Sequence, residues 1–537
     1  MKRIIPAAFV FLCLLLQACS HRQVYNITDY GAKGDSVFMN TAAIQKAIDA
    51  ATGAGGGRVL VPEGVFLTGA LHLKSNVELH VSEHAVLKGS DKREDYLSSR
   101  PLALITARNQ KNISITGKGV IDGQGRAFIK EVFRQLRAGT LEDSEWKKKR
   151  PEGKNRHNIL YVYDCDQVQV RGVTLKNATN WVQNYVNSRD ITIDSIRVES
   201  VAYWNNDGID LVDCERARVT NCYINASDDA VCLKSEDSSR GCKNIYVDNC
   251  TLRSSASAFK IGTASLGHCK NITVKNLTVF DTYRSAVAIE SVDGGIVEEV
   301  DVSNVVGKNT GNAIFIRLAK RNKGTAFSQL RNIHIANMRI EVPEGKPDAG
   351  YEIEGPILKY PPGFKPVPGK VASVSPHNNS SIDPDAIIYE HNVFPSSIAG
   401  LPGHPVENVT LENIEIIYAG GASKKKAYFP LDSLAVITEA ADNYPEFSMF
   451  GELPAWGFFV RHAENIRWKN ITLRYLKEDF RTPLIFDDVR GLELDGVDVA
   501  TAASAPAIVL RKVEDPVLTN VKMPFGFEKG ILKWKSD

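Results

Sequence analysis

Asn244-Ile245-Tyr246-Val247-Asp248-Asn249-Cys250-Thr251-Leu252 alternates apolar and polar residues on both sides of a central asparagine. A period of two sends every second side chain to one face of a strand. The asparagine suits a tight bend in the left-handed region between two short strands. The pattern recurs along the chain. It reads Asn112-Ile113-Ser114-Ile115, Gln167-Val168-Gln169-Val170-Arg171-Gly172-Val173 and Asp190-Ile191-Thr192-Ile193. It returns at Asn271-Ile272-Thr273-Val274, Asn332-Ile333-His334-Ile335, Asn408-Val409-Thr410-Leu411 and Asn465-Ile466-Arg467-Trp468, with weaker copies at Gly491-Leu492 and Val517-Leu518. In the central stretch the copies recur about every 23 to 28 residues, the length of one coil of a solenoid. Each unit is too small to bury its own apolar face, whereas stacked coils bury a continuous column of Val, Ile and Leu. The expectation is an all-β parallel β-helix, with the asparagines hydrogen-bonded along their column. An antiparallel sandwich would need two-residue hairpin signals such as Asn-Gly, which are sparse here.

Upstream of the coils, residues 40–51 read as an amphipathic helix with Ile44, Ala47, Ile48 and Ala51 on one face and Asn40 as its N-cap. Such a helix would cover the open end of the apolar column. The glycines at 53 and 55–57 end it and lead into Val59-Leu60-Val61; no Gly-Lys-Ser/Thr follows, so this is not a phosphate loop. Three stretches interrupt the repeat, near 126–156, 341–403 and 420–453, and long loops on a regular scaffold commonly carry function. The 537 residues are 43% hydrophobic and 24% charged, an ordinary globular composition with ample length for a large core. A net charge of +2, with no basic tract interleaved by aromatics, argues against a nucleic-acid partner.

The first residues point to export. Lys2 and Arg3 precede an apolar run from Ile4 to Leu16, too short to span a bilayer comfortably. The run ends in Leu16-Gln17-Ala18-Cys19, which is similar to a bacterial lipobox. Residues 1–19 are therefore expected to be a signal segment. Cys19 would be lipidated, and 20–537 would form one catalytic domain in the periplasm or on the outer membrane. The lipid would be the chain's only membrane contact, and the protein is expected to be a monomer. Seven cysteines remain beyond Cys13 and Cys19, an odd number with no CxxC pair. They read as buried core thiols more than as a disulfide framework.

Two acidic clusters stand out: Asn205-Asn206-Asp207-Gly208-Ile209-Asp210 and Ser227-Asp228-Asp229-Ala230. Asp207 and Asp228 lie about one coil apart, which would stack them roughly 5 Å apart along the axis. Asp210 points outward if Ile209 and Leu211 face the core. Crowded carboxylates raise at least one pKa and so place an acid beside bases, the pairing that glycoside hydrolysis needs. Calcium binding or simple turn capping would use the same residue types.

These motifs resemble glycoside hydrolase family 28, the polygalacturonases and rhamnogalacturonases. The resemblance covers nearly the whole mature chain, from Asp29-Tyr30-Gly31-Ala32-Lys33-Gly34-Asp35 through Gly117-Lys118-Gly119-Val120-Ile121-Asp122-Gly123. Asn205-Asn206-Asp207-Gly208 resembles the family's Asn-Thr-Asp-Gly, and Asp228-Asp229 its paired aspartates. The resemblance implies a right-handed parallel β-helix that hydrolyses a pectin-type polysaccharide with inversion, without metal or other cofactor. Asp228 would be the general acid, and Asp207 and Asp229 would hold the attacking water.

Two family motifs are altered. Gly-His-Gly should precede Ile261-Gly262, but the chain reads Ala256-Ser257-Ala258-Phe259-Lys260, with Ser257 at the histidine position. The substrate-gripping Arg-Ile-Lys should fall near Ala288-Ile289-Glu290, where both basic residues are missing. By alternation Lys260 and Arg317 point outward, and both are expected to help bind an acidic sugar. Asn205, Asp210 and Trp204 complete the expected binding set, with Trp181 a weaker candidate platform. His268 follows the missing histidine's position by several residues and reads as a turn residue. Competing readings are a polysaccharide lyase on the same fold, working with a basic group and calcium, and a non-catalytic glycan-binding lipoprotein.

Overall fold

The computed structural model describes residues 23–147, 150–351, 391–421, 429–522 and 530–534. Each coil feeds three parallel sheets. In one typical coil Glu215–Thr220 lies in the first sheet, Tyr223–Ala226 in the second and Val231–Ser235 in the third. Lys243–Ser254 then opens the next coil and runs through the first and second sheets in one strand. Stacking is in register. Val170, Ile193, Val219, Val247, Val274, Val302, Ile335, Leu411, Trp468 and Leu494 sit one above another in the first sheet. All of them are buried. This is the apolar column that the alternation requires, and no coil could bury it alone.

From Gly117 onward a residue of positive φ turns the chain from the first sheet to the second. Ser195, Asn221, Asn249, Asn276, Asn304, Asn337, Asn413 and Asn470 hold this place, with glycine at 117, 172 and 496. Asparagine tolerates the left-handed region better than other side chains, and its amide serves the next coil. Asn249 donates to Asn221 at 2.7 Å, Asn304 to Asn276 at 3.0 Å, and Asn413 to Asn337 and Asn470 to Asn413 at 2.9 Å. The asparagine column expected from the repeat is therefore present. The seven cysteines from Cys165 to Cys269 are all free and buried, as core thiols should be.

Helix α1 (Thr41–Gly53) packs its Ile44, Ala47, Ile48 and Ala51 face onto the first coil and closes the column's end. Asn40 occupies the N-cap position, but its side chain does not cap. It bonds Lys33, Phe38 and Leu67 instead, tying the preceding loop to the coil. Among the described residues no helix is long and apolar enough to cross a membrane.

The interruptions share one location. The first, which includes α2 (Gly125–Ala138), lies between the second-sheet strand Val120–Asp122 and the third-sheet strand Asn158–Tyr163. The others separate Gln329–Val342 from Ser396–Ala399 and Val406–Gly420 from Ala455–Lys477. All three enter at the corner from second to third sheet. Within them, 352–390 and 422–428 lie outside the described residues, as do the expected signal segment and Cys19.

Candidate active site

Both acidic clusters fall at that same corner. Gly208 N donates to Asp229 O at 2.9 Å, and Asp210 pairs in register with Cys232. Asp207 therefore stacks beside Asp229, one residue away from the expected Asp228. The carboxylate oxygens of Asp207 and Asp229 and Cys232 Sγ lie within 4.8 Å of one another. Asp228 is fixed next to them. Its Oδ2 accepts from Asn205 Nδ2 at 3.0 Å and its Oδ1 from Asp229 N at 3.0 Å. Asn205 is aimed in turn by Arg156, which donates to Asn205 Oδ1 at 3.2 Å and to Trp204 O at 3.1 Å. Ser257 N donates to Asp229 Oδ1 at 3.0 Å, so the residue at the missing histidine's position serves the site through its backbone.

Two buried lysines interleave the carboxylates. Lys234 Nζ donates to Asp207 Oδ2 at 2.8 Å and also to Asp210, and it lies 4.0 Å from the Trp181 ring centroid. Lys260 Nζ stands 3.3 Å from Asp229 Oδ2 and 3.7 Å from Glu290 Oε2, and it donates to Tyr444 Oη at 3.2 Å. Burial alone would strip both ammoniums of their protons. The carboxylates around them outweigh it and raise both pKa values well above the usual lysine range. Burial, then the Asp210 charge, holds Asp207 well above the carboxylate range against the pull of Lys234. Burial pushes Asp210 up to about 7, with Lys234 again opposing. One ammonium between two buried carboxyls leaves Asp207 and Asp210 holding a proton between them near neutral pH. The corner thus supplies carboxyl and carboxylate forms side by side.

Of the expected binding residues, Lys260 reaches the site, but its ammonium is committed to protein carboxylates. Arg317 does not reach it. The side chain is fully buried, and its guanidinium donates to the carbonyls of Gly400 at 3.0 Å and of Glu439. Alternation does turn Arg317 out of the core, but the segment before Ala455 covers it, and its forks hold that segment down. Trp204 is half-buried against the core. His268 lies at the corner from the third sheet to the first, with its ring on Glu298, 2.9 Å away. Sequence reasoning missed Lys234 and Glu290, which the alternation in Val231-Cys232-Leu233-Lys234 and Ala288-Ile289-Glu290 points outward. It missed Arg156, Arg284 and Tyr444 for lack of any local signal. Asp207, Asp229 and Cys232 are a possible cation cluster. The donor set fits a metal poorly, because Lys234 and Lys260 already balance its charge and Cys232 Sγ donates to Gly262 O at 3.0 Å.

A family model described as Glycosyl hydrolases family 28 matches residues 53–351. An exo-poly-alpha-D-galacturonosidase of Dickeya chrysanthemi is 31% identical over 252 residues, which is 39% of this chain and 41% of that protein. A probable polygalacturonase of Vitis vinifera is 25% identical over 421 residues, covering 74% of this chain and 75% of the other. In fold, the Yersinia enterocolitica family 28 exopolygalacturonase superposes with a TM-score of 0.55 at 17% identity, over 93% of this chain and 78% of that one.

Proposed function

The chain belongs to family 28 of the glycosyl hydrolases, and from that premise we propose that it hydrolyses pectin-type acidic polysaccharide, galacturonan or rhamnogalacturonan, with inversion. One observation carries the reading: Asp207 and Asp229 meet across neighbouring coils, with Asp228 beside them in the same corner. Inverting hydrolysis needs an acid for the leaving oxygen and a carboxylate for water on the other face of the sugar. Asp228 gives its proton to the glycosidic oxygen. Asp207 and Asp229 grip the water, and Asp229 takes its proton. Lys234 and Lys260 balance the charge of the water-binding pair, and Asn205, itself held by Arg156, fixes the direction of Asp228.

The test is a product assay on polygalacturonan and rhamnogalacturonan. Wild type is expected to create reducing ends without unsaturated sugars, chelator is expected to leave the rate unchanged, and Asp228→Asn is expected to lower kcat by at least about a thousandfold. Unsaturated, chelator-sensitive products would make the protein a lyase. Export belongs to the same proposal. Residues 1–19 direct the chain out of a bacterial cytoplasm and Cys19 carries the lipid, so Cys19→Ser is expected to release the protein from the membrane fraction. Mass spectrometry of the mature N-terminus checks this.

A further inference from the structure

Among the described residues the exposed large hydrophobic side chains fall singly along the chain, except at one place. Val37, Phe38 and Met39 stand in a row, 77%, 40% and 39% exposed. Isolated apolar residues on a surface are ordinary, whereas a contiguous group calls for a partner. The row lies in the terminal coil. Among the described residues Val24–Asn26 pairs with Gly57–Val61 alone and Asp35–Met39 with Gly64–Thr68 alone, so each is the outermost strand of its sheet. Asp35 stands opposite Val65 and Met39 opposite Leu67, so the residues between them loop out of the sheet. The loop is fixed from below. Asp35 Oδ1 accepts from Val37 N at 3.0 Å and from Phe38 N at 2.8 Å. Asn40 Nδ2 donates to Phe38 O at 2.7 Å and to Lys33 O at 3.1 Å, and Asn40 Oδ1 accepts from Lys33 N at 2.7 Å. The three side chains are therefore held outward by a bonded backbone. Lys33 Nζ lies 4.8 Å from the centre of the Phe38 ring, a cation at the rim of the apolar group.

The chain itself brings a partner to this end. Gln23, where the described residues begin, is held in the same coil, its carbonyl accepting from Arg58 N at 2.8 Å. Cys19 precedes it by four residues, and four residues span at most about 14 Å. A lipid on Cys19 therefore keeps a bilayer surface within that reach of the coil that carries Val37, Phe38, Met39 and the exposed Val24.

We propose that the N-terminal end of the solenoid is a membrane-docking surface: Val37, Phe38 and Met39 enter the interfacial layer of the bilayer that holds the Cys19 lipid, with Lys33 at the level of the phosphates. This adds a protein surface to the lipid that was expected to be the chain's only membrane contact, and it rests on the lipidation of Cys19. The two contacts reinforce each other. The lipid holds the apolar row at a high local concentration of bilayer, and shallow insertion of such side chains beneath a snorkelling lysine suits the boundary between headgroups and acyl chains. Orientation follows from the stacking. Five pairing steps lead from Val24–Asn26 to Arg189–Asp194, the first-sheet strand of the coil that carries Asp207. At about 4.8 Å per step the acids stand about 24 Å along the axis from the docked end, clear of the headgroups.

The experiment places a fluorophore on Val37→Cys, and on Leu476→Cys as a distant control that is 78% exposed. The seven native thiols from Cys165 to Cys269 are buried, so the new cysteine takes the label. The lipidated chain is reconstituted in vesicles of phosphatidylethanolamine with a minority of phosphatidylglycerol, and quenching by aqueous iodide is compared with that of the soluble Cys19→Ser chain. Anchoring is expected to lower iodide quenching at position 37 by about fivefold and to leave position 476 unchanged. Phe38→Asp with Met39→Asp is expected to restore quenching at 37 while the protein stays in the vesicle fraction, with an unchanged melting temperature reporting on folding. Equal quenching at 37 in the anchored and soluble chains, equal shielding at 37 and 476, or shielding that survives the two aspartates would each overturn the proposal. Shielding of the soluble chain that grows with protein concentration in the absence of lipid would overturn it in favour of a second copy of the chain. A mature N-terminus without acyl groups in mass spectrometry would instead remove the lipidation reading beneath it.

Discussion

Glu290 is a carboxyl with almost no solvent and one shared ammonium. Burial pushes it up to about 7, and Lys260 opposes the shift. In the unfolded chain the same group releases its proton near the ordinary glutamate value of 4.5. Its native pKa is the higher one, so its stabilising contribution is complete below about 4.5 and is lost as pH rises to about 7. Glu290→Gln is expected to flatten the fall in melting temperature across that window, by on the order of 3 kcal/mol of pH-dependent stability. Thermal melts in a pH series check this, and an unchanged slope would contradict it. Lys260→Met is expected to cost activity by about a hundredfold or more, because it removes the ammonium that stands between Asp229 and Glu290; steady-state kinetics at fixed pH measures it. The three aspartates were legible because each stands in a contiguous motif at a corner. Tyr444 was not, since it reaches Lys260 across 184 residues. Arg317 was misplaced for a related reason: periodicity says that a side chain leaves the core, and nothing in it says what lies on top.

At the scale of the elements, the single-residue bend between first and second sheets was the most readable feature, because its backbone geometry restricts the residue type so strongly. The bend at Asn304 has φ of 57° and its amide reaches Asn276 at 3.0 Å. Asn304→Ala loses the hydrogen bond and pays left-handed strain as well, so a loss of about 2 kcal/mol is expected. Asn304→Gly is expected to lose about 1 kcal/mol, the hydrogen bond without the strain. Urea unfolding of the two variants separates the contributions, and equal losses would show that strain plays no part. Helix α1 was legible from its apolar face, whose Ile48 is fully buried. Ile48→Asp places an unpaired charge on the apolar column's end and is expected to cost more than about 3 kcal/mol. The side-chain role of Asn40 was not legible, because its partner Leu67 lies a coil away.

Across the whole molecule the stacking in register leaves little freedom in chain length. A Gly-Ser pair inserted after Asn337 would shift every later inward residue of its coil, whereas the same pair after Gly350 falls in a corner insertion. The first is expected to lower the urea midpoint sharply and the second to leave it within error, a comparison that circular dichroism makes directly. The position of the insertions was readable in the sequence as breaks in the repeat. That all three share one corner was not, because the breaks become equivalent only once the coils are stacked.

That shared corner has a consequence for how such a protein can change over generations. From the coil of Gly172 onward the bend between the first and second sheets keeps one length from coil to coil. The corner bearing the acids is where the chain has room to lengthen. New walls, lids and platforms can therefore be tried beside the reacting bond while the acids keep their footing, and descendants of one scaffold can part company in diet before they part company in chemistry.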